Sequence, residues 1–161
     1  MVRIKSTDRG IDWIAIASRL GTLFPDDYVD LANSYPSFVI DDFLSVHIPD
    51  RGDEERWGSG RLDVLAPLDS LWMSGMSQGY TPYPEPGGLI MWGDSCDGDS
   101  FYWRTTGDSP NSWTIVVAGA NDDWSEFQGS LTDYLAGLIT GDVAPYGLPP
   151  DFPGRTPAVD I

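Results

Sequence analysis

At 161 residues and 17.7 kDa the chain is long enough for one domain whose hydrophobic core needs no covalent staple. Nine Lys and Arg against 25 Asp and Glu leave a net charge of −16. Such a field repels phosphate and anionic lipid over a Debye length of roughly 8–10 Å, which excludes bare nucleic acid and anionic membrane surfaces and favours a basic protein as partner. The bland alternative is that the acidity serves solubility alone. One Cys and one His exclude an internal disulfide and a structural zinc site. Residues 1–8 lack the apolar run of a signal peptide, and no stretch is long enough to span a bilayer, so a soluble protein in a reducing cytoplasm is expected.

In chain order, Trp13, Ile16, Ala17 and Leu20 recur at helical spacing, with Thr7 and Asp8 as capping candidates and Gly21 as the stop. A second helix begins at Pro25-Asp26-Asp27, runs on the stripe Tyr28, Leu31, Ala32 and Tyr35, and ends at Pro36. Residues 43–48 alternate as a strand, suited to a sheet edge, before the polar loop 50–55. Leu62, Leu65, Leu68, Trp72 and Met76 keep helical spacing across Pro67, which should kink or split that helix. Residues 80–86, rich in Pro, read as an extended lead into the sheet.

Residues 89–92 and 100–104 are apolar runs flanking Gly93, Asp94, Asp97 and Gly98, residue types that tolerate left-handed angles, and so predict a hairpin. Residues 113–118 extend the sheet, with Trp92 and Trp113 expected in the core. An acidic turn at Asn121-Asp122-Asp123 precedes a short strand over 124–128. Ser130 and Asp133 start a last helix on Leu131, Tyr134, Leu135, Leu138 and Ile139, which Gly141 stops. Residues 142–161 hold five prolines and little periodicity; they read as an irregular tail packed only where Tyr146, Leu148 or Phe152 find a groove.

None of the motifs that carry chemistry has its required context. Gly75-Met-Ser77-Gln-Gly79 matches a hydrolase elbow, but a helix precedes Ser77 where a strand is needed, and His47 lies upstream rather than downstream. Cys96 could pair with His47, yet Asp94, Asp97 and Asp99 would suppress its thiolate. Around Gly98 a calcium loop would need Glu at its twelfth position and has Arg104. The paired acids Asp26–Asp27, Asp41–Asp42 and Asp122–Asp123 arise readily by chance among 25 acids. No phosphate-binding glycine loop is present. No catalytic residue, metal ligand or cofactor is assigned; the candidate partner-binding residues are Asp94, Asp97, Asp99, Asp122 and Asp123, taken as two exposed acidic loops.

Over most of its length the chain resembles the SUKH superfamily, named for yeast cell-wall-assembly regulators and for immunity proteins of bacterial polymorphic toxin systems. The likeness rests on Arg19-Leu-Gly-Thr-Leu-Phe-Pro-Asp-Asp-Tyr28, with Phe24 where leucine is usual, and on Asp41-Asp-Phe-Leu44 as the following strand. It continues in Glu85-Pro-Gly-Gly-Leu-Ile-Met-Trp-Gly93, Asp97-Gly-Asp-Ser-Phe-Tyr-Trp103, Trp113-Thr-Ile-Val-Val117 and the ending over 124–141. Tyr35-Pro-Ser37 departs from the glycine-containing turn of relatives. The resemblance implies an α+β fold, a largely antiparallel sheet packed with helices, forming one SUKH-like domain over residues 1–141 with the proline-rich tail appended. It also implies binding rather than catalysis: an immunity-type protein that neutralises a nuclease or deaminase toxin, or alternatively a non-catalytic regulatory scaffold.

Overall fold

Asp12 accepts a hydrogen bond from the backbone N–H of Ala15 and so starts helix α1, Trp13–Leu20; Gly21, at φ 90°, ends it. The cap is thus Asp12 rather than Asp8. The computed structural model describes residues 8–161, and Thr7 and the rest of the N-terminal stretch lie outside the described residues. Pro25 leads into helix α2, Asp26–Ser34, whose first-turn acids Asp26 and Asp27 favour the positive end of the helix. Phe24 and Tyr28 turn inward onto Trp103, with ring centroids 5.4 and 4.7 Å away. Asp27 reaches the first turn of the last helix, accepting from the Thr132 N–H and hydroxyl at 2.9 and 3.1 Å.

Among the described residues the sheet has seven strands, all paired antiparallel, in the order β6-β5-β4-β3-β2-β1-β7. They are β1 (Phe38–Ile40), β2 (Leu44–Val46), β3 (Leu89–Ser95), β4 (Ser100–Arg104), β5 (Thr114–Ala118), β6 (Trp124–Phe127) and β7 (Val159–Asp160). Together with the five α-helices of the described residues this is the α+β architecture expected from the sequence. Strand β2 is interior, between β1 and β3, and not an edge. β1 itself was absent from the sequence reading, and Asp41, Asp42 and Phe43 form the turn between β1 and β2 instead of the start of a strand.

Helix α3 (Glu54–Asp63) and helix α4 (Ala66–Met73) are the two halves of the pattern that Pro67 interrupts, with Pro67 itself in the first turn of α4. Helix α5 (Leu131–Thr140) is capped by Ser130, which accepts from the Asp133 N–H. Side chains alternate between the two sheet faces. Ile90, Trp92, Phe101, Trp103, Ile115 and Val117 join α1, α2 and α5 in the main core; Leu89, Tyr102 and Val116 form a smaller core with Leu65 and Leu68 beside α4. Trp92 and Trp113 are both buried. Gly93 lies inside β3, where any Cβ would meet the Ser45 carbonyl oxygen at 2.6 Å, so it serves close packing between strands and not the turn.

The segment from residue 142 on packs through two of the three side chains expected to find a groove, and it adds a strand that the sequence did not suggest. Leu148 and Phe152 are buried, Phe152 lies 4.6 Å from Phe43 between ring centroids, and β7 covers the outer edge of β1. Tyr146 stays exposed. The Asp41 carboxylate accepts from the backbone N–H groups of Gly154 and Ala158 at 2.8 and 2.7 Å, tying this segment to the β1–β2 turn. Truncation after Gly141 is therefore expected to cost about 3–5 kcal/mol or more, the range for losing one buried Phe alone. Urea unfolding reads this directly; an unchanged midpoint would return the segment to the status of an independent tail.

Candidate functional site: an acidic turn cluster and the groove beside it

In an antiparallel meander alternate turns fall at the same end of the sheet. The β1–β2, β3–β4 and β5–β6 turns meet there, and each of them carries aspartates. In the β3–β4 turn the Ser95 hydroxyl accepts from the N–H groups of Asp97 and Asp99 at 3.2 and 3.0 Å and donates to the Asp99 carboxylate. Gly98 takes the left-handed angle, φ 94°, that closes this turn. The second oxygen of Asp99 accepts the Ala120 N–H at 2.8 Å, which clips the β3–β4 turn to the β5–β6 turn. The two acidic loops are thus adjacent.

The five candidate aspartates divide by role. Asp97, Asp122 and Asp123 are exposed at this end. Asp122 is nonetheless held: at φ 65° its carboxylate accepts from the Trp124 indole N–H at 2.9 Å. Asp99 is 3 % exposed and its charge is spent inside the protein, so it builds the surface without being part of it. Asp94 lies in β3 and not in a loop; its side chain stands beside His47. The sequence reading missed Asp42 and Asp151, both exposed; Asp42 belongs to the same turn end, and Asp151 lines a depression with Asp41 and Asp97. The signal for Asp42 was available, since it occupies a turn two strands from Asp97, but it required β1 to be seen. Arg155 is the only base in residues 142–161.

Next to the β5–β6 turn, on the face that α4 partly covers, lies an open groove of about 670 Å³. Leu68, Leu71 and Met76 form one wall, Tyr102, Ala118 and Trp124 the other, and Asp122 stands on its rim. Trp124 is braced by Tyr80, stacked at 5.1 Å with the rings 16° apart, and the Arg104 guanidinium lies 5.5 Å from the Tyr80 ring. Arg104 in turn pairs with Glu126 at 3.1 Å, and Thr114 donates to the same carboxylate.

Ser77 and His47 are held by internal contacts. Ser77 is buried and its hydroxyl donates to the Tyr80 carbonyl at 2.6 Å, in the loop that follows α4. Cys96 is exposed, and desolvation, followed by the Asp97 carboxylate, pushes its thiol up. Arg61, a donor only, reaches His47 Nδ1 at 2.9 Å, so Nε2 carries the ring proton and donates it to Asp94 at 3.2 Å. Both nitrogens are therefore occupied. The Arg61 guanidinium is itself stacked 4.7 Å from the Trp57 ring centre. Among the described residues no group of three or more His, Cys, Asp or Glu side chains is placed to hold a metal ion, and no helix is long and apolar enough to cross a membrane. What this end of the molecule presents is fixed negative charge next to apolar surface.

Burial, and then the Arg61 charge, hold the His47 imidazole below its ordinary value, with Asp94 opposing them. The unfolded chain takes up this proton near pH 6.5, the folded chain only at lower pH. In that window the unfolded state binds more protons, so the contribution of neutral His47 is present above pH 6.5 and is lost as the pH falls below it. Wild type should accordingly lose more stability between pH 7.5 and 5.5 than His47→Gln, measured as urea midpoints. Equal losses would show that His47 titrates alike in both states.

Comparison with protein-family models, curated proteins and solved structures finds no match to this chain.

Proposed function

We propose that the chain is an immunity-type binding protein of the SUKH kind, which neutralises a bacterial toxin domain, a nuclease or deaminase, by covering it with an acidic surface. The observation that carries this reading is the clip from Asp99 to Ala120. It sets Asp97 beside Asp122 and Asp123 on neighbouring turns, in a chain of net charge −16. Enzymes that act on nucleic acid need a basic cleft, and an acidic surface that substitutes for phosphate competes for that cleft. Rigid turns serve this purpose well, because charges already fixed by the fold lose little entropy when a partner binds. The arrangement of Ser77, His47 and Cys96, each turned to internal contacts or poorly ionised, supports a role in binding over one in catalysis.

Capture with the chain as bait in its native cell, followed by reconstitution with the isolated captured protein, tests the reading. The expected partner is a basic toxin domain whose activity is suppressed at equimolar chain. Its association rate should fall roughly tenfold or more from low to high salt, and again in the Asp97→Lys/Asp123→Lys variant at low salt, with the melting temperature little changed. Asp122 is left intact in that variant because it also holds Trp124. A rate indifferent to salt and to charge reversal would remove the electrostatic mechanism. A partner without toxin activity would replace the immunity reading with that of a regulatory scaffold.

A further inference from the structure

The acidic turns account for attraction but not for grip, since exposed charge pairs contribute little once formed. Grip comes from a few anchors buried in pockets near the centre of an interface. The end of α4 and the loop after it leave more apolar surface uncovered than packing on the sheet requires: Leu71 is 37 %, Met76 57 % and Met73 80 % exposed. Leu71 and Met76 line the groove against Tyr102, Ala118 and Trp124, and Asp122 and Gln78 edge it on the side of the β5–β6 turn. On the other side of that turn Asp97 and Asp123 share a second depression with Ala120 and Gly147.

We propose that this groove is the docking site for an aliphatic side chain of a basic protein segment, with a neighbouring Lys or Arg of the same segment held by Asp122 at the rim and by Asp97 and Asp123 beyond it. This rests on the reading of the chain as a binder of basic proteins and names how that binder holds its partner. Charge complementarity selects the occupant. A second copy of the chain would bring another −16 to a rim that is already negative, and a nucleic acid would bring phosphates. The rim is also prepared in advance, because the Trp124 indole fixes Asp122 and the Asp99–Ala120 bond fixes the turn that bears it. Trp124 therefore links the two halves of the site, as a wall of the groove and as the donor that aims the charge.

Two capped hexapeptides of equal charge serve as probes, Lys-Leu-Lys-Lys-Leu-Lys and Lys-Ser-Lys-Lys-Ser-Lys, titrated into the ¹⁵N-labelled full chain at low salt. The Leu peptide is expected to bind roughly tenfold tighter or more, the gain from burying one Leu side chain. It should shift the Gly98, Ala118 and Gly119 amides and the Trp124 indole N–H, while the Ser peptide produces only weak shifts around the aspartates. Met76→Ser and, as an independent variant, Leu71→Ser preserve net charge; each should erase most of the preference for Leu without altering Ser-peptide binding. Equal affinity for the two peptides, or Leu-dependent shifts at the exposed Ile14 and Leu23 instead of the groove, would overturn the proposal. Sedimentation of the wild type as a dimer that Met76→Ser dissolves would also overturn it, by making a second copy the occupant. The site and the immunity reading fail separately. Selective Leu-peptide binding without a captured toxin leaves the groove standing and removes the toxin, whereas a toxin neutralised equally by wild type and Met76→Ser removes the groove alone.

Discussion

A carboxylate taken out of water is tolerated only where hydrogen bonds replace its hydration, and Asp99 meets that condition through contacts that cross between turns. One oxygen takes the Ser95 hydroxyl from its own turn and the other takes the Ala120 N–H from the next. The same Ser95 hydroxyl accepts two N–H groups of the turn, so the network satisfies donors that would otherwise be stranded at the end of a sheet. Its charge is felt as far as α5, where burial and then Asp99 push the Tyr134 phenol up. The network closes the turn that bears Asp97 and ties it to the β5–β6 turn, where Asp122 in turn accepts from the Trp124 indole in the wall of the groove.

The β1–β2 turn repeats the device with a different partner. Asp41 accepts two backbone N–H groups of the C-terminal segment and thereby holds Phe152 against Phe43 and β7 against β1. At both turns one aspartate, buried Asp99 or half-buried Asp41, serves as a fastener while a near neighbour, Asp97 or Asp42, remains exposed. Acidity here has two functions that composition alone does not separate. The aspartates bonded within the fold form structure, and the outward ones add to the negative field around the molecule.

Much of the fold was legible because helices declare themselves by period and by caps. Gly21, Gly141, Ser130 and Pro67 each mark a boundary where the structure has one. The hairpin from β3 to β4 was legible from its apolar runs, though the left-handed position belongs to Gly98 while Gly93 and Asp94 remain in the strand. β1 and β7 were not, since three and two residues carry too little alternation to register, and β7 is defined by a partner strand distant in sequence. In the proline-rich segment the packing of Leu148 and Phe152 was legible, but β7 and the bonds to Asp41 were not, since proline removes the periodic signal. Within the site, acidity and its two loops were readable, but the inward turn of Asp99 was not, because its decisive acceptor contact is to Ala120, 21 residues away. The groove was hidden for a related reason, as its walls come from α4 and three strands that only the sheet order brings together.

The central claim is that one buried carboxylate holds two acidic turns in register. Amide hydrogen exchange at Ala120, compared between wild type and Asp99→Ala, tests it most directly. The account predicts a protected Ala120 N–H in the wild type that exchanges roughly ten- to a hundredfold faster in the variant, with the Trp124 indole resonance shifted and the amides of Thr114 and Arg104, at the far end of the sheet, unchanged. An Ala120 amide that exchanges freely in the wild type, or one equally protected without Asp99, would contradict it.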